Sequence, residues 1–200
     1  MTTENEQGYR ERMCADRERA FSLHFGKSAD VDYHAPIPFY LGGNADVVVF
    51  PSYRGGIAYI TFDLTGGDVG QIPGPFGGYE LMVCTRSQNE RAVEIISRLA
   101  RYTCDAKLKA GETMDIRDSF GDQSIRAFLF CHPEERPIRF EVCGQPSSVL
   151  LCVGITSDEL EFKMKKGSEP LLALLKEKEV FPFTEPDRAS VLPKRRFGLW

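Results

Sequence analysis

The chain has no run of about 18 apolar residues, the minimum for a membrane-spanning helix. Its opening segment, MTTENEQGYRER, is polar and charged where a secretory signal would be apolar. A basic excess is also missing: 25 Lys and Arg stand against 29 Asp and Glu, a formal charge of −4. That excludes the electrostatic footprint of a general nucleic-acid binder. No two of the six cysteines, at 14, 84, 104, 131, 143 and 152, are spaced as CxxC, so neither a zinc ribbon nor a thioredoxin motif is expected. Several lie in apolar runs, Phe130-Cys131 and Leu151-Cys152-Val153 among them, and read as buried, reduced thiols in a cytoplasmic protein.

The residues of common chemistries are equally sparse. Histidine occurs three times, at 24, 34 and 132. Cys131 and His132 are neighbours on a strand-like run, and neighbours on a strand point to opposite faces, so they form no nucleophile–base pair. Asp115, Asp118 and Asp122 lack the twelve-residue calcium-loop pattern and its bidentate Glu, and read as a solvated loop. The glycines of residues 66–78 form neither GxxxxGK[ST] nor GxGxxG, which leaves phosphate cradling unsupported. No catalytic residue, metal site or cofactor is assigned.

What is present fits one folded domain. Of the 200 residues, 42% are hydrophobic and 27% charged, and a chain this long buries most of its apolar surface without staples. Tyr9, Met13, Ala20, Phe21 and Phe25 recur at near-helical spacing ahead of Gly26, predicting a helix over 8–25. Val47–Phe50, ending at Pro51, and Ile57–Phe62 predict two strands of a hairpin across Gly55-Gly56. Residues 65–78, TGGDVGQIPGPFGG, hold six glycines and two prolines and must be a long loop. Tyr79–Thr85 resumes as a strand, and Ser87 with Glu90 reads as a capping box opening an amphipathic helix to about Tyr102. Three further strands are expected at Ile125–Phe130, Pro137–Val142 and Ser148–Val153. Thr156 and Glu159 form a second capping box, and Ser168 reads as the cap of a last helix with Pro170 in its first turn. Residues 182–200, with three prolines and the Lys194-Arg195-Arg196 cluster, read as an extended tail. Helices before, between and after strands imply an α+β fold: one domain with a mixed or largely antiparallel central sheet flanked by helices.

Several segments in this order resemble the Suppressor of fused domain family. They are Tyr59-Ile60-Thr61-Phe62, Phe76-Gly77-Gly78-Tyr79-Glu80-Leu81, Leu99-Ala100-Arg101-Tyr102, Ala110-Gly111-Glu112-Thr113, Gly154 to Lys163, Leu171-Leu172 and Asp187 to Val191. The resemblance covers roughly residues 40–192, which with the helix at 8–25 makes a domain over 1–192 followed by a basic tail at 193–200. It implies a protein-binding role. Animal members hold a transcription factor through a short peptide paired as a β-strand, and short bacterial members are thought to be immunity proteins against polymorphic toxins. The sequence ends soon after the first domain, so the two-domain clamp of the animal members is not expected here.

The expected function is therefore non-catalytic protein binding, with neutralisation of a toxin encoded nearby as the first reading. A regulatory module that binds a cellular peptide by strand addition is the second, and an enzyme of unassigned chemistry the third. The glycine-rich loop supplies the expected partner contacts, Asp68, Phe76 and Tyr79, because glycine eases backbone rearrangement and aromatic rings anchor interfaces. The partner is expected to be a protein, with neither nucleic acid nor membrane involved.

Overall fold

The computed structural model describes residues 3–29, 32–67, 69–116 and 124–193, with the backbone alone for 3–6. Within them lie four α-helices and a seven-stranded mixed sheet: α1 (Thr3–Phe25), β1 (Val47–Tyr53), β2 (Gly56–Thr61), β3 (Gly78–Thr85), α2 (Glu90–Asp105), β4 (Thr113–Asp115), β5 (Ile125–Cys131), β6 (Arg139–Val142), β7 (Gln145–Thr156), α3 (Ser157–Lys166) and α4 (Ser168–Glu177). The strand order is β1-β2-β3-β7-β5-β4, with β6 also paired to β7. Only β3 and β7 run parallel, in register from Gly78 opposite Ser147 to Met82 opposite Leu151. The α+β, single-domain reading of the sequence holds.

The sheet is apolar on both faces because both are covered. Along β3, Tyr79, Leu81 and Val83 enter the core under α2, while Met82 and Cys84 enter the core under α1 and α4. Along β7, Leu150 and Cys152 take the first side and Val149, Leu151, Val153 and Ile155 the second. That period of two explains why the strands read as nearly unbroken apolar runs. Phe21 anchors α1, its ring meeting the edges of Phe25, Phe50, Phe62 and Phe140 at centroid distances of 5.7–6.0 Å.

Local signals account for most boundaries. Gly26 takes a φ of 85° after α1 and donates its N–H to the Ser22 carbonyl at 3.2 Å. The β1–β2 turn is the pair Arg54-Gly55, both at positive φ, the two-residue hairpin geometry that matches strand twist. β1 continues past Pro51, where a strand end was expected. It is an edge strand whose register shifts between Phe50 and Tyr53, and a bulged edge tolerates the missing donor. The capping box at Thr156 and Glu159 is present. Two expected caps are not. Asn89, not Ser87, caps α2 through its side chain, which accepts from the Arg91 N–H at 3.1 Å, while the Ser87 carbonyl accepts from the Thr85 hydroxyl. Gly167 holds the cap position of α4 and Ser168 is its first helical residue.

The expected extended tail is docked as far as it is described. Phe183 and Thr184 are buried, and the Thr184 N–H donates to the Cys84 carbonyl at 2.7 Å. The Thr184 hydroxyl accepts from the Gly154 N–H at 2.8 Å, where a Cβ on Gly154 would lie 2.6 Å from the Thr184 methyl. Further on, Arg188 reaches the buried Glu159 at 2.5 and 2.6 Å and the Gly154 carbonyl at 2.9 Å. Glu159 also accepts from the Val191 N–H at 2.8 Å. Residues 180–193 thus form a strap across the ends of β3 and β7. The Lys194-Arg195-Arg196 cluster lies outside the described residues.

Removing one partner of a buried ion pair strands the other charge. Arg188→Ala is expected to lower the free energy of unfolding by about 3–5 kcal/mol in urea titration. Gly154→Ala, which drives a methyl into Thr184, is expected to cost about 1–3 kcal/mol.

Candidate functional site

The glycine-rich loop starts from a buried carboxylate. Glu80 of β3 is fully buried, and it accepts from the Thr61 hydroxyl at 2.7 Å, the Leu64 and Thr65 N–H groups at 3.0 Å each, and the Thr65 hydroxyl at 2.8 Å. Arg17 of α1 completes the set, its Nε 3.7 Å from Glu80 while its guanidinium also donates to the Thr65 carbonyl. Burial pushes the Glu80 carboxyl up, and Arg17 with the donors opposes that shift.

From this anchor the loop runs over α1 and α2, fastened repeatedly. The Tyr9 hydroxyl donates to the Gly66 carbonyl at 2.6 Å, and a Cβ at Gly66 would lie 2.1 Å from the Val142 side chain. The Cys104 thiol donates to the Val69 carbonyl at 3.6 Å, and the Ile72 N–H to the Thr103 carbonyl at 2.8 Å. The Gln71 amide bonds both backbone groups of Tyr79, at 2.7 and 2.9 Å.

The loop, the first turns of α1, the 3₁₀ turn Phe39–Leu41 and the last turn of α2 converge on one face. There Leu41 is 65% exposed, Ile37 57%, Tyr102 55% and Tyr40 49%, joined by Tyr9 and Ile72. These side chains are outside because neighbours hold the inward positions. Phe39 fills the core beneath the 3₁₀ turn, and Leu99, Ala100 and Thr103 occupy the buried stripe of α2 beside Tyr102. Arginines are laid among the rings. Arg10 stacks on Tyr40 at 4.3 Å and donates to its hydroxyl at 2.8 Å, and Arg101 stacks on Phe39 at 5.0 Å and donates to its carbonyl at 3.2 Å. Among the described residues, no ion pair engages Arg10, Arg12 or Arg101. Exposed aromatic, Ile and Leu side chains interspersed with Arg are the composition of a protein-binding hot spot.

The structure describes two of the three expected contact residues, Phe76 and Tyr79, and sets them in different surroundings. Asp68 lies outside the described residues. Tyr79 is 2% exposed; its ring is in the core and its oxygen accepts from the Leu108 N–H at 3.1 Å, so it supports the loop from beneath and presents no ring to a partner. Phe76 is half-buried at the far end of the loop, between the Arg139 guanidinium at 4.1 Å and the His132 ring at 5.7 Å. The sequence reading missed Tyr40, Leu41 and Ile72. Tyr102 stood in one of the segments that carry the family resemblance, but nothing in its local pattern marks it as exposed.

The Cys131-His132 pair is split as the strand geometry requires. Cys131 is buried in the core under α1 and α4, where desolvation pushes its thiol up to about 12, and His132 faces Phe76. Asp115 pairs with Arg126 at 3.0 Å; Asp118 and Asp122 lie outside the described residues. Among the described residues no group of three or more His, Cys, Asp or Glu is placed to hold a metal ion, and no helix is long and apolar enough to cross a membrane.

Comparison with known proteins follows the same lines. The sequence matches no curated protein. Over 90% of its length the fold matches 91% of a chain in the crystal structure of the Sufu-Fu complex, with a TM-score of 0.69 at 14% identity. It matches Drosophila Suppressor of Fused with the same TM-score, 0.69, and identity, 14%, 90% of this chain spanning 50% of that one. A Suppressor of fused homolog from Neisseria gonorrhoeae FA 1090 is matched over 94% of this chain and 99% of the other, with a TM-score of 0.63 at 16% identity. The family profile of the Suppressor of fused protein matches residues 44–189, which contain β1 to α4 and most of the strap. The chain belongs to the Suppressor of fused protein family.

Proposed function

We propose that this protein is a non-catalytic binding module acting in the cytoplasm, and that it neutralises a protein toxin encoded nearby by covering it in a one-to-one complex. The observation that carries the binding role is the exposed face of Tyr40, Leu41, Ile72 and Tyr102 with Arg10 and Arg101 laid into it. Large rigid rings lose little conformational freedom on binding, and stacked guanidiniums are already oriented. The family supports the role, since one similar fold is known from the Sufu-Fu complex. The toxin assignment rests on the resemblance to short bacterial members. Among the described residues Arg10 and Arg101 have no ion-pair partner, so the fitting partner surface has an apolar centre with carboxylates placed to meet them.

A second reading is recognition of a peptide by strand addition. Its observation is β6, which pairs with β7 on one flank and, among the described residues, has no backbone partner on the other. Phe76 lies against Arg139, the first residue of that strand, which supports a contact role for Phe76 in this mode.

Both readings are open to direct measurement. Co-expression with the toxin domain of the neighbouring gene is expected to restore growth; toxicity persisting despite good expression rejects neutralisation for that pair. With a verified partner, Tyr40→Ala combined with Tyr102→Ala is expected to weaken binding at least about 100-fold, with the unfolding free energy changed by no more than about 1 kcal/mol. Undiminished affinity in that variant, with loss on Phe76→Ala, moves the contact to the β6 flank. Turnover of a defined substrate, abolished by a substitution in this chain, overturns the non-catalytic reading.

A further inference from the structure

The start of the glycine-rich loop holds more carboxylate than it has cation to balance. Glu80 takes Arg17 and the donors of Thr61, Leu64 and Thr65. Asp63, one residue before that hydrogen-bonded turn, is partly buried and has one carboxylate oxygen, Oδ1, enclosed without a hydrogen-bond partner. The charged groups facing it are Glu80 on β3, Asp46 just ahead of β1 and Arg17 on α1, with the Asp46 backbone as its hydrogen-bond partner. Asp46 is itself committed elsewhere, to the His34 ring at 3.0 Å and the Ala35 N–H at 2.8 Å. Asp32 lies within the electrostatic reach of that His34–Asp46 pair. One guanidinium thus serves two buried carboxylates, and the one with the richer donor set keeps it. The other carries its charge there against desolvation and the neighbouring carboxylates.

We propose that Asp63 is a proton-operated latch on the glycine-rich loop: neutral, it lets Arg17 clasp Glu80 and Thr65; ionised, it competes for Arg17, repels Glu80 and loosens the loop on which part of the partner face is built. The latch rests on the partner-face reading only for its effect on binding. Burial, then the Glu80 and Asp46 charges, push the Asp63 carboxyl up to about 7, which places the change within the physiological range. The folded state holds this proton more tightly than the unfolded chain. Stability therefore falls as pH rises from the ordinary carboxylate range to about 7, and is level above that. The clasp acts on the partner face through Gly66, Val69 and Ile72, which continue the loop from Thr65 onto Tyr9, Cys104 and Thr103.

The test uses the whole free protein. Carbon-13 NMR follows the Asp63 carboxyl between about pH 5 and pH 9, and hydrogen exchange, corrected for the intrinsic pH dependence, follows the Leu64, Thr65 and Ile72 amides. The expected result is a carboxyl titrating near neutrality and corrected exchange rising roughly 10-fold or more across the same interval. Asp63→Asn abolishes that rise, and Glu80→Gln, which frees Arg17 for Asp63, moves the midpoint to lower pH. A wild-type Asp63 already ionised at about pH 5, or loop exchange that does not follow its titration, overturns the latch. Because no partner is needed, failure here leaves the partner face standing. Conversely, loop exchange that follows Asp63 while affinity for a verified partner does not respond to Tyr40→Ala and Tyr102→Ala upholds the latch and removes the face.

Discussion

The path of the glycine-rich loop and the lie of α1 depend on the burial of Glu80. A carboxylate with no access to water must collect enough donors to replace it. Those collected here come from three places in the chain: Thr61 at the end of β2, Leu64 and Thr65 at the start of the loop, and Arg17 on α1. Satisfying one side chain therefore fixes where β2 ends, how the loop leaves it and how α1 lies across the sheet. With α1 so placed, Tyr9 reaches the Gly66 carbonyl and Arg10 reaches Tyr40.

A second buried carboxylate does comparable work at the opposite end of β7. Glu159 accepts from the Thr156 N–H at 2.9 Å to start α3 and holds Arg188 and the Val191 N–H of the strap. Sequence segments far apart are thereby tied at both ends of one rigid sheet. Ion pairs buried this way are costly to break singly, and their use here is positional: each one fastens an irregular segment to the sheet. The exposed face of Tyr40, Leu41, Ile72 and Tyr102 is assembled from such segments lying on α1 and α2, a support that holds its side chains in a constant arrangement.

What could be read in the sequence depended on neighbours along the chain. The Gly26 helix end and the Thr156–Glu159 capping box are local geometry, in which a few consecutive residues satisfy their own backbone groups, and the hairpin is too, although its turn is Arg54-Gly55, one residue before the expected Gly55-Gly56. Where two local solutions competed, pattern alone chose wrongly. Ser87 and Glu90 have capping-box spacing, yet α2 begins at Glu90 itself, which puts Asn89 at the cap, where its side chain accepts from the Arg91 N–H. The short β4 carries no pattern of its own and exists because β5 offers it an edge, Thr113 opposite Leu129. The strap read as a tail because prolines and charges dominate it, while the groups that bind it, Glu159 and the backbone of Cys84 and Gly154, lie some 30 to 100 residues earlier.

The candidate site divides along the same line. From its residues alone, the chain determined an α+β class, a central sheet flanked by helices, a glycine-rich loop and a resemblance to the Suppressor of fused family, since each follows from periodicity, turn chemistry or the order of short segments. The tertiary structure alone decided which rings face outward. Tyr79 and Tyr102 are both tyrosines in apolar surroundings, but the pleat of β3 turns the first beneath α2, where Leu108 bonds its oxygen, and helical pitch sets the second beside the buried stripe of its own helix. Phe39 and Tyr40 are adjacent, and only the presence of a core under the first leaves the second to Arg10. Exposure is a property of what lies opposite in space, and no spacing along a chain contains it.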